Sequence, residues 1–184
     1  MVQPGAGILL IADPFLQDPN FKRTVVILCD HQEGEGSFGF VLNRVYEYSL
    51  NELVTAAEDL HLPVYYGGPV QMDTVHFLHQ YPDLIPGGTE ITRGIFWGGD
   101  FSTAIELLRT GAADARKIRF YIGYSGWDAG QLDEELKEKS WLLANANRPI
   151  VFHTDHEAIW KEAIKLLGAD YEMLINFPID PRLN

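Results

Sequence analysis

The sequence predicts an α+β fold in a single compact domain that spans residues 1–184. Short β-rich runs with hairpin spacing dominate residues 7–43, and helical patterns are interspersed later without a regular βαβ alternation. Hydrophobic residues make up 46% of the chain, so it can bury a core without a metal or a disulfide. These observations favour a mixed sheet-and-helix domain over a parallel α/β fold.

The first strands form a predicted hairpin. Residues 7–12 (GILLIA) are a short apolar strand, and residues 21–30 are a longer strand with a β-branched centre. The polar, glycine-containing segment 31–37 (HQEGEGS) is predicted to be a long loop, after which residues 38–43 return as a strand.

The middle of the chain combines short helices and strands. Ser49 and Glu52 have the spacing of a capping box, which predicts a helix that begins near residue 50 and ends before Pro63. A second helix is predicted between Asp100 as its N-cap and Gly111 as its stop signal. The predicted strands of this part are residues 64–66, 75–79 and 91–97.

Residues 119–136 are the centre of the predicted fold. A strand over residues 118–122, apolar on both faces, leads into a glycine-rich turn and then into a helix with Leu132 and Leu136 on its inner face. Glycine is expected where the backbone bends or approaches another segment closely. The predicted structural turn residues are Gly67, Gly68, Pro69, Gly123, Gly126 and Gly130.

The last part of the chain is predicted to contain two short strands and one helix. The strands are residues 141–144 and 150–152. Residues 154–157 form a second capping box, which opens a helix that ends at Gly168. The apolar face of this helix carries Trp160, Ala163, Ile164 and Leu167.

Charge and cysteine content narrow the possible functions and compartments. The chain has 14 Lys plus Arg and 26 Asp plus Glu, a net charge of −12, and no basic cluster of the kind that duplex binding requires. Cys29 is the single cysteine and is expected to be a buried thiol in a reducing cytoplasm. No apolar run approaches the ~18 residues of a membrane span, and we expect no signal peptide. The sequence therefore predicts a cytoplasmic protein without membrane contact or direct nucleic-acid binding.

A serine hydrolase is one enzymatic interpretation. Gly123-x-Ser125 follows a strand, as in a nucleophile elbow, but Trp127 stands where the elbow requires a small residue. His153 or His156 would have to supply the base, and no complete triad pattern accompanies them. No catalytic residue is therefore predicted.

Metal and phosphate sites are similarly incomplete. Residues 153–156 are dense in possible ligands but lie at a helix start, where the acidic residues act on the helix dipole. The glycine loop 31–37 carries Glu33 and Glu35, which would repel a phosphate. The sequence therefore predicts no cofactor and no metal.

A set of polar residues within the motif-like stretches is the candidate binding site. If the hairpin packs beside the glycine-rich turn, this set lines one cleft that suits a peptide or a small anion. The alternative is a structural set, in which Asn43 caps a turn and Arg23 pairs with Asp18. The seven candidates are Arg23, His31, Asn43, Arg44, Ser125, Asp128 and Gln131.

Several motifs follow one another along nearly the whole chain. They are Asp18-Pro19-Asn20-Phe21, Arg23-Thr24-Val25-Val26, His31, Gly39-Phe40-Val41-Leu42-Asn43-Arg44, Gly67-Gly68-Pro69-Val70, Gly123-Tyr124-Ser125-Gly126-Trp127 and Gly130-Gln131-Leu132-Asp133-Glu134-Glu135. In order and spacing they resemble the YqgE/AlgH family of bacterial proteins. One mild departure is Asp133, where that family often shows Glu.

The resemblance implies a compact α+β domain with a branched β-sheet that includes a small barrel and is flanked by helices. It implies no established activity. The family name carries a transcriptional-regulator label, which the net charge of −12 does not support as direct DNA binding.

Three functional hypotheses follow. The favoured one is a non-enzymatic interaction or regulatory domain that acts through a protein partner. The second is a small-molecule-binding protein or an enzyme of unknown activity that uses the polar cleft. The third, a DNA-binding regulator, requires a basic face on the surface.

Overall fold

Nine strands form one sheet in the computed structural model, which describes residues 1–178. The strands are β1 (Ile8–Ala12), β2 (Val25–Gln32), β3 (Gly36–Val41), β4 (Val64–Tyr66), β5 (Val70–His79), β6 (Thr89–Thr92), β7 (Ile95–Trp97), β8 (Ile118–Trp127) and β9 (Trp141–Asn145). Their order is β6-β7-β5-β8-β3-β2-β1-β9, and β4 pairs with β8 beside this path. The sheet is curled into a half-barrel, which confirms the predicted α+β class.

Short helices cover the sheet. The α-helices of the described residues are α1 (Leu50–Leu53), α2 (Phe101–Thr110), α3 (Gln131–Lys137), α4 (Arg148–Val151), α5 (Ile159–Lys165) and α6 (Ala169–Glu172). Single 3-10 turns lie at Thr55–Ala57, Ala115–Lys117, His156–Ala158 and Met173–Asn176. Over residues 1–178, no helix combines the length and the apolar character needed to cross a membrane.

The sheet branches at β8. Residues 120–122 of β8 pair in parallel with β4 on one edge and antiparallel with β5 on the other edge. Farther along, residues 125–127 pair with β3, on the edge that β4 has left. β8 therefore holds together the two halves of the sheet.

The connection from β4 to β5 crosses β8, because these strands lie on opposite edges of it. A Cβ atom on Gly68 would lie 2.2 Å from the carbonyl carbon of Tyr124. A Cβ atom on Gly123 would lie 2.3 Å from the carbonyl oxygen of Gly68. No side chain fits at such distances, so glycine is required on both segments where the backbones cross.

The glycine-rich turn predicted after residue 122 is wrong at Gly123 and Gly126, because β8 continues through both residues. Gly123 adopts a φ of +67° within the strand. This conformation shifts the alternation of side chains, so that Tyr121 and Tyr124 pack against the same core cluster although they are three residues apart. Gly130 does lie at the bend, with a φ of +80°, as the N-cap of α3.

Two loop predictions also need correction. The segment 31–37 is not a long loop, because β2 and β3 extend into it and leave a tight turn over residues 33–35. The single strand predicted over residues 91–97 is the hairpin of β6 and β7, with Gly94 at a φ of +79° in its turn. The first difference lengthens the pairing of β2 with β3, and the second adds one strand to the sheet.

The strand predicted over residues 150–152 is wrong, since Ile150 and Val151 belong to α4 and Phe152 is its C-cap. The side chain of Asn147 accepts the backbone N–H of Ile150 at 2.9 Å, which caps the helix. Pro149 lies in the first turn, where its missing N–H costs no hydrogen bond. Capping therefore outweighs the β-propensity of the apolar run.

The caps predicted for the first two helices are confirmed. Glu52 accepts the backbone N–H of Ser49 at 2.8 Å in a capping box before α1. Asp100 accepts the N–H of Thr103 before α2, and Gly111 ends α2 at a φ of +76°. These local signals depend on a few neighbouring residues, which is why the sequence predicts them well.

Candidate functional site

A groove of about 650 Å³ lies at the carboxyl end of β8, over the sheet formed with β3 and β5. This volume is within the ~300–1,000 Å³ of typical ligand pockets. Its aromatic residues are Phe38, His76, Trp97, Tyr124 and Trp127. Its acidic residues are Asp30, Glu35 and Asp128. No lysine or arginine is among the residues that line it.

The aromatic rings of the groove pack edge to face. The ring centroids of Phe38 and Trp97 are 4.9 Å apart, and those of Phe38 and Tyr124 are 5.9 Å apart. These rings come from β3 and β8, which are neighbours in the sheet, and from β7, which β5 separates from β8. Because the rings are only partly buried, they offer an aromatic surface to a ligand as well as to one another.

Trp127 lines the end of the groove, and its side chain is packed in the core cluster that contains Leu132 and Trp141. Glu135 in α3 accepts the indole N–H of Trp127 at 2.6 Å and that of Trp141 at 3.2 Å. Trp127 is 4% exposed, so a missing partner for its N–H would be costly. The first turns of α3 therefore set the position of the ring.

The carboxylates of the groove are free to act on a ligand. Gln131 accepts the backbone N–H of Asp128 at 3.0 Å, which shapes the bend before α3. Asp30 accepts a hydrogen bond from the Gln32 side chain at 3.1 Å. Within residues 1–178, none of the three groove carboxylates forms an ion pair. The groove therefore combines carboxylates that form no ion pair with partly exposed aromatic side chains.

His76 is the titratable base in the groove wall. Burial lowers the pKa of His76 below its usual range, so the ring is neutral near pH 7. Its Nε2 atom is buried and has no hydrogen-bond partner among the described residues. His76 therefore adds no positive charge to the groove at neutral pH.

The seven polar residues predicted to line one cleft are divided among separate places. Asn43 and Arg44 hold the backbone of residues 18–25. Asn43 accepts the N–H of Val25 at 3.0 Å and donates to the carbonyl of Arg23 at 2.9 Å. Arg44 donates to two further carbonyls of this loop, at 3.0 and 3.1 Å. The hydrogen-bonding groups of Asn43 and Arg44 are therefore used within the fold.

Arg23 lies on the other side of the same loop. Its guanidinium carbon is 4.4 Å from the ring centroid of Trp160, and it donates to the carbonyl of Phe177. The predicted pairing of Arg23 with Asp18 is not among the ion pairs of residues 1–178. Arg23 instead joins the loop to the last described segment of the chain.

The other four candidates lie on β2 (His31), on β8 (Ser125) and at the bend from β8 into α3 (Asp128 and Gln131). Ser125 is fully buried and donates its hydroxyl to the carbonyl of Gly67 at 3.0 Å, so it is no exposed nucleophile. His31 contacts the Ser37 hydroxyl through Nδ1 at 2.5 Å, and Ser37 lines the groove. Asp128 and Gln131 line the groove themselves. A cleft common to all seven residues is therefore not formed.

The aromatic residues of the groove were not predicted as site residues. Trp97 lies in no motif, and Tyr124 lies in a motif whose strand was predicted to end before it. The sequence feature that could have indicated the groove is the presence of aromatic residues near Glu35 and near Asp128, on two separate segments of the chain. Only the pairing of β3 with β8 brings them together.

Comparison with known proteins places this fold among known relatives. The AlgH-like family model matches residues 9–172. A UPF0301 protein of Chlorobium phaeobacteroides is 47% identical over 179 residues, which cover 97% of this chain and 95% of the relative. A UPF0301 protein of Cytophaga hutchinsonii is 37% identical over 97% of this chain and 98% of its own length.

Two solved structures are similar over most of the chain. The solution structure of the AlgH protein of Pseudomonas aeruginosa has a TM-score of 0.72 and 29% identity, covering 97% of this chain and 98% of that one. The crystal structure of a Corynebacterium diphtheriae protein has a TM-score of 0.80 over 96% of this chain and 94% of that one. The latter is 18% identical and supports the fold alone.

Proposed function

This chain belongs to the AlgH-like family, whose function is uncharacterised, and we propose that its groove binds a protein partner. The recognised element is a segment of the partner that carries lysine or arginine side chains. The proposal describes a non-enzymatic interaction domain, with regulation of the partner as its role.

The observation that carries this proposal is the combination of aromatic rings and unpaired carboxylates in one groove. A cation over the face of an aromatic ring gains about 0.5–2 kcal/mol, depending on how far it is desolvated. Phe38, Trp97 and Tyr124 supply the rings, and Asp30 and Asp128 supply the opposite charge. A neutral or anionic ligand would use only part of this arrangement.

The charge of the whole chain supports a cationic partner. A net charge of −12 attracts positive segments over long distances and raises the rate of encounter at low salt. The same charge and the acidic groove oppose a phosphate backbone, so the proposal does not include direct nucleic-acid binding. A cytoplasmic location is part of the proposal, supported by the single buried cysteine.

Calorimetric titration with a tri-arginine peptide tests the proposal, with tri-glutamate as the matched probe of opposite charge. We expect tri-arginine to bind measurably and tri-glutamate not to bind. Replacing the three groove carboxylates by amides (Asp30→Asn, Glu35→Gln, Asp128→Asn) should weaken binding about tenfold or more, because the opposite charge is lost while side-chain size is kept.

A control triple variant carries the same change in net charge on exposed residues outside the groove. It is Asp83→Asn, Asp170→Asn and Glu172→Gln. This control should bind nearly as well as wild type. Equal losses in the two triple variants would show that only net charge acts, and equal binding of both peptides would contradict the proposal.

The contact between Ser37 and His31 favours a second candidate function, a hydrolase acting on cationic substrates. We infer that Ser37 would be its nucleophile, since His31 Nδ1 lies 2.5 Å from the hydroxyl, within reach for proton transfer. Labelling with a fluorophosphonate probe tests this candidate. Labelling that disappears in Ser37→Ala and persists in Ser125→Ala would support the hydrolase. Absence of labelling would contradict it and leave only the proposal of an interaction domain.

A further inference from the structure

A second cavity, of about 230 Å³, lies at the amino end of β8. Its walls are mostly apolar and include Leu62, Phe120 and Phe152. Its polar lining includes Arg119 and His153. It shares no lining residue with the groove at the carboxyl end of the same strand.

Arg119 is buried in the wall of this cavity, with 6% of its surface exposed. Its Nη atoms donate to the carbonyl of His153 at 2.6 Å and to the carbonyl of Leu42 at 3.2 Å. Its Nε atom is buried and has no hydrogen-bond partner among the described residues. The guanidinium also lies 3.6 Å from the ring centroid of Tyr65.

These contacts leave the charge of Arg119 uncompensated. Within residues 1–178, no carboxylate forms an ion pair with Arg119. The surface residue Arg109, in contrast, is held by both Asp59 and Glu106. A buried charge is costly unless it is paired, and backbone carbonyls and an aromatic face carry no full negative charge. An anion in the cavity would complete the set.

We propose that this cavity binds a small organic carboxylate with an apolar body. Arg119 supplies the counter-charge, and the walls around Leu62, Phe120 and Phe152 cover the apolar part. A planar carboxylate can form two parallel hydrogen bonds with a guanidinium group, so it pairs more specifically with arginine than with the ammonium group of lysine.

His153 provides a neighbouring donor for the same ligand. Its Nδ1 atom accepts the backbone N–H of Asp155 at 3.0 Å. In the neutral ring the proton is therefore on Nε2, which remains a donor. Arg116 also lines the cavity but is paired with Asp114 at 2.9 Å. The apolar walls and the single unpaired cation favour a monocarboxylate over a phosphate.

Phenylacetate is a suitable probe because its charge and ring match the two parts of the cavity. Phenylacetamide has the same shape without the charge, and phenethylammonium has the opposite charge. We expect saturable binding of phenylacetate by calorimetry and by shifts of amide NMR signals around Arg119. Phenylacetamide should bind at least tenfold more weakly, and phenethylammonium should not perturb these signals.

Ala115→Phe tests the location without touching the hydrogen bonds of Arg119. Ala115 is an exposed residue in the cavity lining, so a larger side chain there narrows the cavity. We expect phenylacetate affinity to fall at least tenfold. Ala112→Phe makes the same change at an exposed position outside the lining and should bind as wild type.

Arg119→Lys keeps the positive charge but removes the planar fork, and should weaken phenylacetate binding about tenfold if the variant remains folded. Four outcomes would overturn the proposal. They are absence of phenylacetate binding to wild type, equal binding of phenylacetamide, equal binding of phenylacetate to Ala115→Phe and Ala112→Phe, and binding of inorganic phosphate as tight as that of phenylacetate.

Discussion

The two ends of β8 use aromatic rings in opposite ways. At the carboxyl end, the rings of Phe38, Trp97 and Tyr124 face a groove whose charges are carboxylates. At the amino end, the ring of Tyr65 already carries the guanidinium of Arg119. The groove therefore combines aromatic rings with carboxylates, whereas the cavity combines an aromatic ring with a guanidinium. Under our two proposals, one strand borders two sites with opposite charge preferences.

The crossing of backbones at Gly68 and Gly123 lies between these two ends. On the amino side of the crossing, β8 is paired on both edges, with β4 and β5. On the carboxyl side, it pairs with β3, and Tyr124 pairs with Val70 of β5. The crossing thus separates the part of β8 that borders the cavity from the part that borders the groove.

The largest expected effect is the loss of stability from Gly123→Ala. The new Cβ would meet the carbonyl oxygen of Gly68 at 2.3 Å, in a residue whose φ is +67°. Backbone strain and overpacking together should lower the free energy of unfolding by at least about 3 kcal/mol. Urea unfolding followed by circular dichroism measures this change.

Gly111→Ala is the matched control for this substitution. Gly111 has a similar φ of +76°, but a Cβ there would meet nothing within 4 Å. Its cost should be the strain alone, about 1 kcal/mol. Similar losses in the two variants would mean that the crossing does not constrain β8.

A smaller effect is expected from Trp97→Leu in the groove. The change removes an aromatic face and keeps an apolar side chain against Phe38, so the fold should persist. Tri-arginine affinity should fall about tenfold, equivalent to ~1.4 kcal/mol and within the range of a partly desolvated cation–π contact. Phenylacetate binding at the other end should not change, which calorimetry with each ligand can verify.

Tyr48→Leu provides the control for loss of an aromatic ring. Tyr48 is 47% exposed and is not part of the groove lining. Its substitution should leave tri-arginine binding unchanged. If Tyr48→Leu and Trp97→Leu weaken tri-arginine binding equally, the aromatic rings of the groove make no specific contribution to binding of the cation.

Lowering the pH should weaken cation binding to the groove through His76. Burial lowers the pKa of His76 below its usual value of about 6.5, so the ring becomes charged only as the pH falls below that value. Its positive charge then repels the ligand. A like-charge pair about 6 Å apart in water costs ~0.7 kcal/mol, so affinity should fall by up to about threefold as the pH is lowered from 7 and His76 takes up its proton.

His76→Phe should remove most of this pH dependence while retaining an aromatic ring. Carboxyl groups in general titrate near pH 4, so the measurement should stay above pH 5. His31 lies behind Ser37 and is the other histidine to test. If His76→Phe keeps the full pH dependence of tri-arginine affinity, His76 does not cause that dependence.

Protonation also acts on stability with a definite sign. In the unfolded chain His76 titrates at its ordinary value, whereas in the folded protein its pKa is lower. The unfolded state therefore binds the proton first, and the free energy of unfolding falls as the pH decreases through about 6.5. The loss is complete once the pH is below the folded pKa.

The sequence predicts features of this fold that depend on a few neighbouring residues. The capping box of Ser49 and Glu52 and the stop at Gly111 are examples. Gly123 shows the limit, because a glycine typical of a turn is in fact required by a second backbone that lies far away in sequence. Neither the position of Gly68 over Gly123 nor the continuation of β8 can be read from local patterns.

The candidate site was harder to predict for the same reason. Asn43, Arg44 and Ser125 have the chemistry of binding residues, but backbone carbonyls and amides use their polar groups. The groove instead depends on rings from strands that meet only in the folded sheet. Arg119 is similar, because its missing carboxylate partner is a property of packing and not of composition.

The smallest expected effect is the coupling between the two ends of β8. Residues 119 and 126 are seven steps apart on one strand, on the order of 23 Å at ~3.3 Å per residue. This distance exceeds the Debye length of ~8 Å at physiological salt, so the two ligand charges should not affect each other. Saturating phenylacetate should therefore change tri-arginine affinity less than twofold, as calorimetry with and without phenylacetate can measure. A change above about fivefold in both directions would show that β8 shifts between two arrangements and links the sites, because coupling of binding free energies is reciprocal.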